Sequence, residues 1–167
     1  CRSCNFEHLS GIKGSKLIEI LGTQDWKEAH PGAVIGLLEF SSVKNDTPCE
    51  LLNQRKRQIE AQLRSKYADF TRKDFLALPV MSAYDRYYKH FDKTYHVQLQ
   101  VESIVLKSRN LPEVSPLVDA NFSAEVETFV LAAGHDADKL ETPVWIDLSR
   151  VGDEISALNG ETKHIHA

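Results

Sequence analysis

The sequence predicts an α+β domain in which β-sandwich-like sheets pack against several helices. Three patterns predict it: an apolar run of strand length at residues 33–43, helical periodicity over 48–127, and short strand patterns after Gly134. This order, a strand, then helices, then strands, is typical of α+β domains rather than of alternating βαβ units. With 167 residues, 42% of them apolar, the chain is long enough to bury one core.

The first strand and the first helix are predicted from local signals. Residues 33–43 follow the turn signal Pro31-Gly32 and are almost continuously apolar, which is typical of a central strand. The sequence Thr47-Pro48-Cys49-Glu50 then predicts a capping box with proline at the first helical position. The helix that follows keeps its apolar residues on one face as far as Tyr67.

The remaining elements follow from spacing and turn chemistry. We expect residues 69–79 to be a connection, and helices over 81–91, around 99–106 and from Ser115-Pro116 to Val126. Strands are predicted at 144–148 and in a hairpin around Asn159-Gly160, formed by 155–158 and 163–166. The strands after 143 should share one sheet system with 33–43. Residues 1–32 are predicted to be irregular, with one short element at 16–21, and residues 33–167 to form the domain.

Composition excludes several classes of protein. The longest apolar runs are too short to cross a bilayer, and we find no signal peptide, so no membrane partner is expected. Three cysteines cannot close a disulfide framework, which favours a reducing, cytoplasmic setting. The chain begins at Cys1 rather than at methionine, and we therefore expect a fragment of a longer protein.

Motifs for metals and cofactors are weak or missing. Cys1 and Cys4 with His8 are spaced like part of a zinc knuckle, but a closed zinc site needs four ligands, so we interpret them as an incidental pair. The sequence has no glycine-rich phosphate loop, no serine nucleophile elbow and no paired histidines of the zinc-protease type. We expect no metal and no cofactor.

Charge is unevenly distributed along the chain. Residues 55–93 carry ten lysines and arginines against five acids, whereas residues 94–167 carry five bases against twelve acids. The net charge of −4 argues against a protein that coats nucleic acid along its whole surface. The basic segment predicts either a local phosphate-binding face or an ordinary pair of solvated helix faces.

Two polar residues lie within a helix whose other residues are predicted to be buried, and a short polar stretch follows that helix. Asp119 and Asn121 fall on the helix that begins at Ser115, and Gly134, His135 and Asp136 follow that helix. A buried amide or carboxylate must have its hydrogen bonds made by backbone or by a ligand, and a histidine beside an acid can orient water. The alternative is that Asp119 and Asp136 cap local turns and that His135 lies at the tip of a loop.

These residues also carry a resemblance to a known family. The segment 111–121, Leu-Pro-Glu-Val-Ser-Pro-Leu-Val-Asp-Ala-Asn, and the segment 134–140, Gly-His-Asp-Ala-Asp-Lys-Leu, resemble the B3/B4 domain of the phenylalanyl-tRNA synthetase beta subunit. The spacing around 133–136 is most similar to the free-standing relatives of that domain. The resemblance covers roughly residues 33–166 and is specific over about thirty of them.

The resemblance implies a fold, an activity and a partner. In the synthetase this domain hydrolyses phenylalanine tRNA that carries tyrosine by mistake, and water attacks the ester carbonyl. Asn121 matches the family's pocket asparagine, whereas Ala120 replaces the usual threonine. The family's histidine falls on Ala133 here, and His135 lies where the family has phenylalanine. In the family another strand and a glycine-rich loop follow the hairpin, so we expect this chain to hold part of the pocket.

Two functional hypotheses follow, besides a purely structural domain. The first is a deacylase that edits aminoacyl-tRNA in trans, with tRNA rather than DNA as its partner. It assigns Asn121, His135 and Asp136 to catalysis, Asp119 and Gly134 to substrate binding, and four bases to RNA binding: Arg55, Arg57, Arg64 and Lys66. The second hypothesis is a module that binds RNA or a free amino acid without turnover.

Overall fold

The computed structural model describes residues 18–46, 48–156 and 161–164. It combines six α-helices with four short strands over these residues, which confirms the mixed α+β class. Two compact units can be distinguished. A helical unit contains residues 40–135, and a second unit combines 18–39 with the described residues from 136 onward.

The second unit contains the strands. Strand β1 (Ile20–Gly22) pairs in parallel with β2 (Val144–Ile146), and β3 (Glu154–Ser156) pairs antiparallel with β4 (Thr162–His164). Helix α1 (Gln24–Ala29) follows β1, capped by the Thr23 side chain. A 3₁₀ turn covers Ala137–Lys139. The predicted strand at 144–148 is confirmed over 144–146, and the predicted hairpin strands are confirmed over 155–156 and 163–164; residues 157–160 and 165–167 lie outside the described part of the chain.

The helical unit holds the main core. Its helices are α2 (Glu50–Lys66), α3 (Arg72–Ala77), α4 (Pro79–Lys89), α5 (His96–Leu106) and α6 (Pro116–Thr128). Helices α2, α5 and α6 pack against one another, and α3 packs against α4. Buried apolar and aromatic side chains from these helices and their connections form one cluster, which includes Ile59, Phe75, Met81, Tyr95, Val101 and Val126. Burial of this cluster is the main favourable contribution to the stability of the unit.

Four of the predicted helices are confirmed with small shifts of their ends. Helix α2 begins at Glu50 with Cys49 in the cap position, so the prediction of Pro48 at the first helical position and of Glu50 in a capping box is wrong; Thr47 lies outside the described residues. Helix α6 begins after Ser115 with Pro116 in its first turn, as the Ser-Pro pair predicts.

The prediction of a central strand at 33–43 is wrong. These residues form no strand, and the side chains of Val34 and Leu38 are 90% and 82% exposed. A continuous apolar run becomes a central strand only where neighbouring strands and covering layers exist, and no strand pairs with this run among the described residues. The prediction that 33–43 shares a sheet with the strands after 143 is therefore also wrong.

Two further segments differ from prediction. The predicted connection 69–79 contains helix α3, which a reciprocal capping box between Thr71 and Asp74 starts. Within the segment 1–32, predicted to be irregular, the described residues include β1 and α1. All three elements have six residues or fewer, too few for an apolar period to repeat.

Candidate functional site

Two of the four predicted RNA-binding bases form ion pairs within the helical unit. The Arg55 guanidinium lies 2.5 Å from the Glu127 carboxylate on α6. Arg57 lies 3.1 Å from Glu60 and also donates to the backbone carbonyl of Leu111. Both arginine side chains remain 40–46% exposed, so part of each guanidinium faces solvent.

The other two bases also have partners within the unit. Arg64 donates to the backbone carbonyls of Ile104 and Arg109 and to the Asn110 side chain, and so it ties the end of α5 to α2. The Lys66 ammonium lies 5.0 Å from the centre of the Tyr67 ring, a cation–π contact. Lys66 is exposed and forms no ion pair among the described residues, so of the four it is the base most available to a phosphate.

Asp119 is part of a buried ion pair. Its Oδ2 accepts a 2.7 Å hydrogen bond from Lys56 Nζ, and its Oδ1 accepts a 2.9 Å bond from the backbone N–H of Val114. Lys56 is fully buried and also donates to the Pro112 carbonyl at 2.6 Å. Burial alone would raise the pKa of Asp119, but the bonds from Lys56 and Val114 outweigh it and hold the pKa below its usual value. Both carboxylate oxygens are therefore occupied by donors of the protein itself.

A small cleft of about 250 Å³ lies beside this ion pair. Its lining includes Cys49 and Asn53 at the start of α2, Glu113 and Ser115 before α6, and Asp119. Neither Cys49 nor Ser115 caps its helix through a side-chain hydrogen bond. The cleft thus lies between the starts of two helices and is lined by carboxylates, an asparagine and a free thiol.

Asn121 lies on a different side of α6 from Asp119. Two residues along a helix turn through about 200°, whereas residues four apart lie on the same side. Asn121 therefore shares its side of α6 with Glu125. The Asn121 side chain is half-buried and makes no hydrogen bond with any residue in the described part of the chain. The alternative in which backbone groups satisfy this amide is not what the structure shows, and the amide is free to bind a ligand.

Glu125 is the residue that sequence reasoning missed. Its side chain is 1% exposed, and its Oε1 accepts a 3.0 Å hydrogen bond from the backbone N–H of Ala132 and lies 3.4 Å from His96 Nε2. Its Oε2 is buried and has no hydrogen-bond partner in the described structure. An unpaired buried carboxylate oxygen is costly, and such groups are found where a protein binds ligands or does chemistry.

Tyrosine side chains surround this carboxylate and hold the loop that follows α6. Tyr84 accepts a hydrogen bond from the backbone N–H of Leu131 at 3.1 Å, and Tyr95 donates to the Phe129 carbonyl at 3.1 Å. Phe129 ends α6 in the left-handed conformation, with φ of 62°, and so reverses the chain toward Glu125. Burial, together with neighbouring tyrosines and Glu125, raises the pKa of Tyr88 and of Tyr95, which keeps both phenols protonated.

The predicted residues after α6 are exposed. Gly134 and His135 follow the loop that Tyr84 and Glu125 hold, and no hydrogen bond or ion pair joins them to Asn121. Asp136 belongs to the second unit, where its Oδ1 accepts a hydrogen bond from Asp138 N–H and its Oδ2 lies 3.7 Å from Lys139 Nζ. The structure therefore does not show His135 and Asp136 joined with Asn121 in one site.

The described residues form no group of three or more histidine, cysteine or acidic side chains that could hold a metal ion. Cys1, Cys4 and His8 lie outside these residues, and Cys49 is a free thiol. Across the described part of the chain, none of the helices combines the length and the apolar character that crossing a membrane requires. Comparison with family models, with curated proteins and with solved structures gave no match to this chain.

Proposed function

We propose that this chain is a tRNA-associated protein of the B3/B4 type that hydrolyses mischarged aminoacyl-tRNA in trans in the cytoplasm. One observation supports this function above the others. The Asn121 amide is free of protein partners and lies one helical turn before a buried carboxylate with an unpaired oxygen. Asn121 is also the residue that the family resemblance assigns to the aminoacyl pocket.

The proposal places the aminoacyl end along the side of α6 that carries Asn121 and Glu125. The loop 129–133 returns to that side because Ala132 N–H is bonded to Glu125. Gly134 and His135, exposed just beyond it, would complete the pocket when substrate is bound. In this proposal Asp119 acts indirectly, because its bonds to Lys56 and Val114 fix the start of α6.

The tRNA backbone would lie along α2. Lys66 supplies an unpaired positive charge there, and Arg55 and Arg57 each keep a partly exposed guanidinium despite their ion pairs. Phosphate contacts of this kind position the nucleic acid without reading its sequence, and their strength falls with salt. Within the proposal the strands after 143 belong to a B3/B4-like arrangement of sheets.

A second candidate function is a module that binds a free amino acid without turnover. The cleft beside Asp119 favours it, because its volume of about 250 Å³ suits a small molecule and its lining mixes carboxylates with the polar side chains of Asn53 and Ser115. The two candidates use different sides of α6. They also use different asparagines, since Asn53 lines the cleft and Asn121 does not.

The matched pair Asn121→Ala and Asn53→Ala separates these functions. Both asparagines are half-buried helical residues, so the two truncations are comparable. We expect Asn121→Ala to lower deacylation of phenylalanine tRNA charged with tyrosine by roughly tenfold or more, because a lost hydrogen bond to a polar ligand is worth about 1–3 kcal/mol. Asn53→Ala should leave the rate unchanged.

Melting curves of both variants accompany the assay, since a partly unfolded variant would lose activity for a trivial reason. The absence of deacylation by the wild-type chain, together with amino-acid binding that only Asn53→Ala abolishes, would favour the binding module instead. A large fall in melting temperature for Asn121→Ala, with an unchanged rate per folded molecule, would contradict the pocket.

A further inference from the structure

We infer that His96, positioned by Glu125, is the general base that activates water in this protein. The inference rests on the proposed function in taking a carboxylic ester as the substrate class. It assigns the base to a histidine that lies 39 positions before His135 in the chain and in a different element. Three features of the helical unit lead to it: the pairing of His96, its exposure, and the incomplete bonding of Glu125.

The pairing with Glu125 occupies one ring nitrogen of His96 and leaves the other free to accept a proton. His96 Nε2 lies 3.4 Å from Glu125 Oε1, so Nε2–H donates to the carboxylate in the tautomer that this contact favours. Nδ1 then carries the lone pair, and it makes no hydrogen bond with the residues that the structure describes. A carboxylate that orients an imidazole in this way is the recurring second half of a base-activated hydrolytic site.

The exposure of His96 allows the His96–Glu125 pair to act on a bound water or substrate. The Glu125 side chain is 1% exposed, whereas the His96 side chain is 45% exposed, so the imidazole connects a buried carboxylate to solvent. The ring packs edge-on to Tyr88 and Tyr95, with centroids 6.5 and 5.6 Å away. The groups that face His96 are therefore one carboxylate and two phenols, which remain neutral because their pKa values are raised.

Glu125 carries a negative charge that the fold does not require, and it accepts fewer hydrogen bonds than a carboxylate can. One bond from Ala132 N–H would hold the loop, and a glutamine could accept it equally well. The buried, unpaired Oε2 instead adds an energetic cost to the folded state. That cost is accounted for if the negative charge of Glu125 stabilises an imidazolium that forms during the reaction.

The other histidines of the described chain lack this arrangement. His135 is exposed and has no carboxylate partner. His164 lies 3.2 Å from Glu154, but both side chains are more than half exposed, so water screens the pair. His164 is consequently a natural control for a histidine–glutamate pair without a buried carboxylate.

The chemical step is a hydrolysis in which every atom is supplied by water and ester. His96 Nδ1 takes a proton from water while the water oxygen attacks the ester carbonyl carbon, which gives a tetrahedral intermediate and an imidazolium held by Glu125. The intermediate then expels the ribose oxygen as the carbon–oxygen bond breaks. The imidazolium returns its proton to that oxygen, and a free amino acid and a ribose hydroxyl leave.

The test compares four variants on two substrates. The variants are His96→Gln, Glu125→Gln, Glu125→Asp and His164→Gln, and the substrates are phenylalanine tRNA charged with tyrosine and tyrosine methyl ester. We expect His96→Gln to lower kcat roughly a hundredfold or more on both, the usual contribution of a general base. His164→Gln should keep the wild-type rate.

Glu125→Gln gives a readout that a purely structural role would not change. Glu125→Gln should lower kcat on both substrates while KM stays near the wild-type value, and Glu125→Asp, which keeps the negative charge, should restore part of the rate. Circular dichroism of each variant confirms that the fold is retained.

Each outcome either supports or overturns the inference. A wild-type rate that survives His96→Gln overturns the base and leaves the proposed function standing. Hydrolysis of the methyl ester that depends on His96, without hydrolysis of the tRNA ester, keeps the base and overturns the tRNA function. A wild-type chain that cleaves neither substrate overturns both.

Discussion

Helix α6 carries two buried carboxylates that the protein treats differently. Asp119, near its start, has both oxygens bonded, one to a fully buried lysine and one to a backbone N–H. Glu125, near its end, has one oxygen bonded and the other buried without a partner. The comparison teaches that burial alone does not indicate function: a saturated carboxylate holds the fold, whereas an unsaturated one retains capacity for chemistry.

The largest expected effect comes from breaking the saturated pair. Lys56→Met leaves Asp119 buried without its counter-charge, and loss of one partner of a buried ion pair typically costs about 3–5 kcal/mol. We expect a fall of that size in the free energy of unfolding, measured by urea denaturation. The double variant Lys56→Met/Asp119→Leu should recover much of the loss, because it removes both charges. A single variant that loses less than about 1 kcal/mol would show that the pair is solvated.

Because of Asp119, we also expect the free energy of unfolding to depend on pH in acid. Its pKa in the folded state lies below the unfolded value, so its contribution to stability is complete above the unfolded pKa and is lost as the pH falls through the folded pKa. Unfolding free energies measured from pH 6 downward should therefore fall less steeply in Asp119→Asn than in the wild type. Equal slopes would mean that Asp119 titrates alike in both states.

A smaller effect is expected beside Glu125, at Tyr95. Tyr95→Phe removes the hydrogen bond to the buried Phe129 carbonyl and should cost about 1–3 kcal/mol. Because burial raises the pKa of Tyr95 in the folded state, the wild type should lose stability as the pH rises above the unfolded tyrosine value of about 10. The variant should lose less over that range. Denaturation at pH 8 and pH 10.5 measures both effects, and a variant with the full alkaline loss would contradict the assignment to Tyr95.

Local patterns predict four of the six α-helices in the described residues but not the pairing of side chains. Helix α2 follows from its apolar spacing, and helix α6, which carries Asp119 and Asn121, follows also from the proline in its first turn. The Lys56–Asp119 pair joins residues 63 positions apart, and the His96–Glu125 pair joins residues 29 apart. Residues this far apart in the chain are not related by any helical or strand period, so the sequence pattern does not predict that they pair.

The error at 33–43 has a different physical origin. Apolar composition measures how much a segment gains from burial, but it does not supply the neighbours that bury it. Leu37 and Phe40 are 46% and 62% exposed, so this gain is not realised within the described chain. A hydrophobic pattern therefore predicts a helix reliably, because the helix forms from local contacts. It predicts a strand less reliably, because the strand needs neighbours that are distant in the chain.

The most direct test of the account compares Asp119→Asn with Glu125→Gln in the same two assays. Each substitution removes one carboxylate charge from α6 and keeps nearly the same shape. We predict that Asp119→Asn, which leaves the buried Lys56 without its counter-charge, lowers the free energy of unfolding by about 3–5 kcal/mol while the ester-hydrolysis rate per folded molecule is unchanged. Glu125→Gln should leave stability within about 1 kcal/mol of the wild type and lower that rate at least tenfold. The reverse pattern, with Glu125→Gln unstable but fully active, would contradict the assignment of one carboxylate to the fold and the other to function.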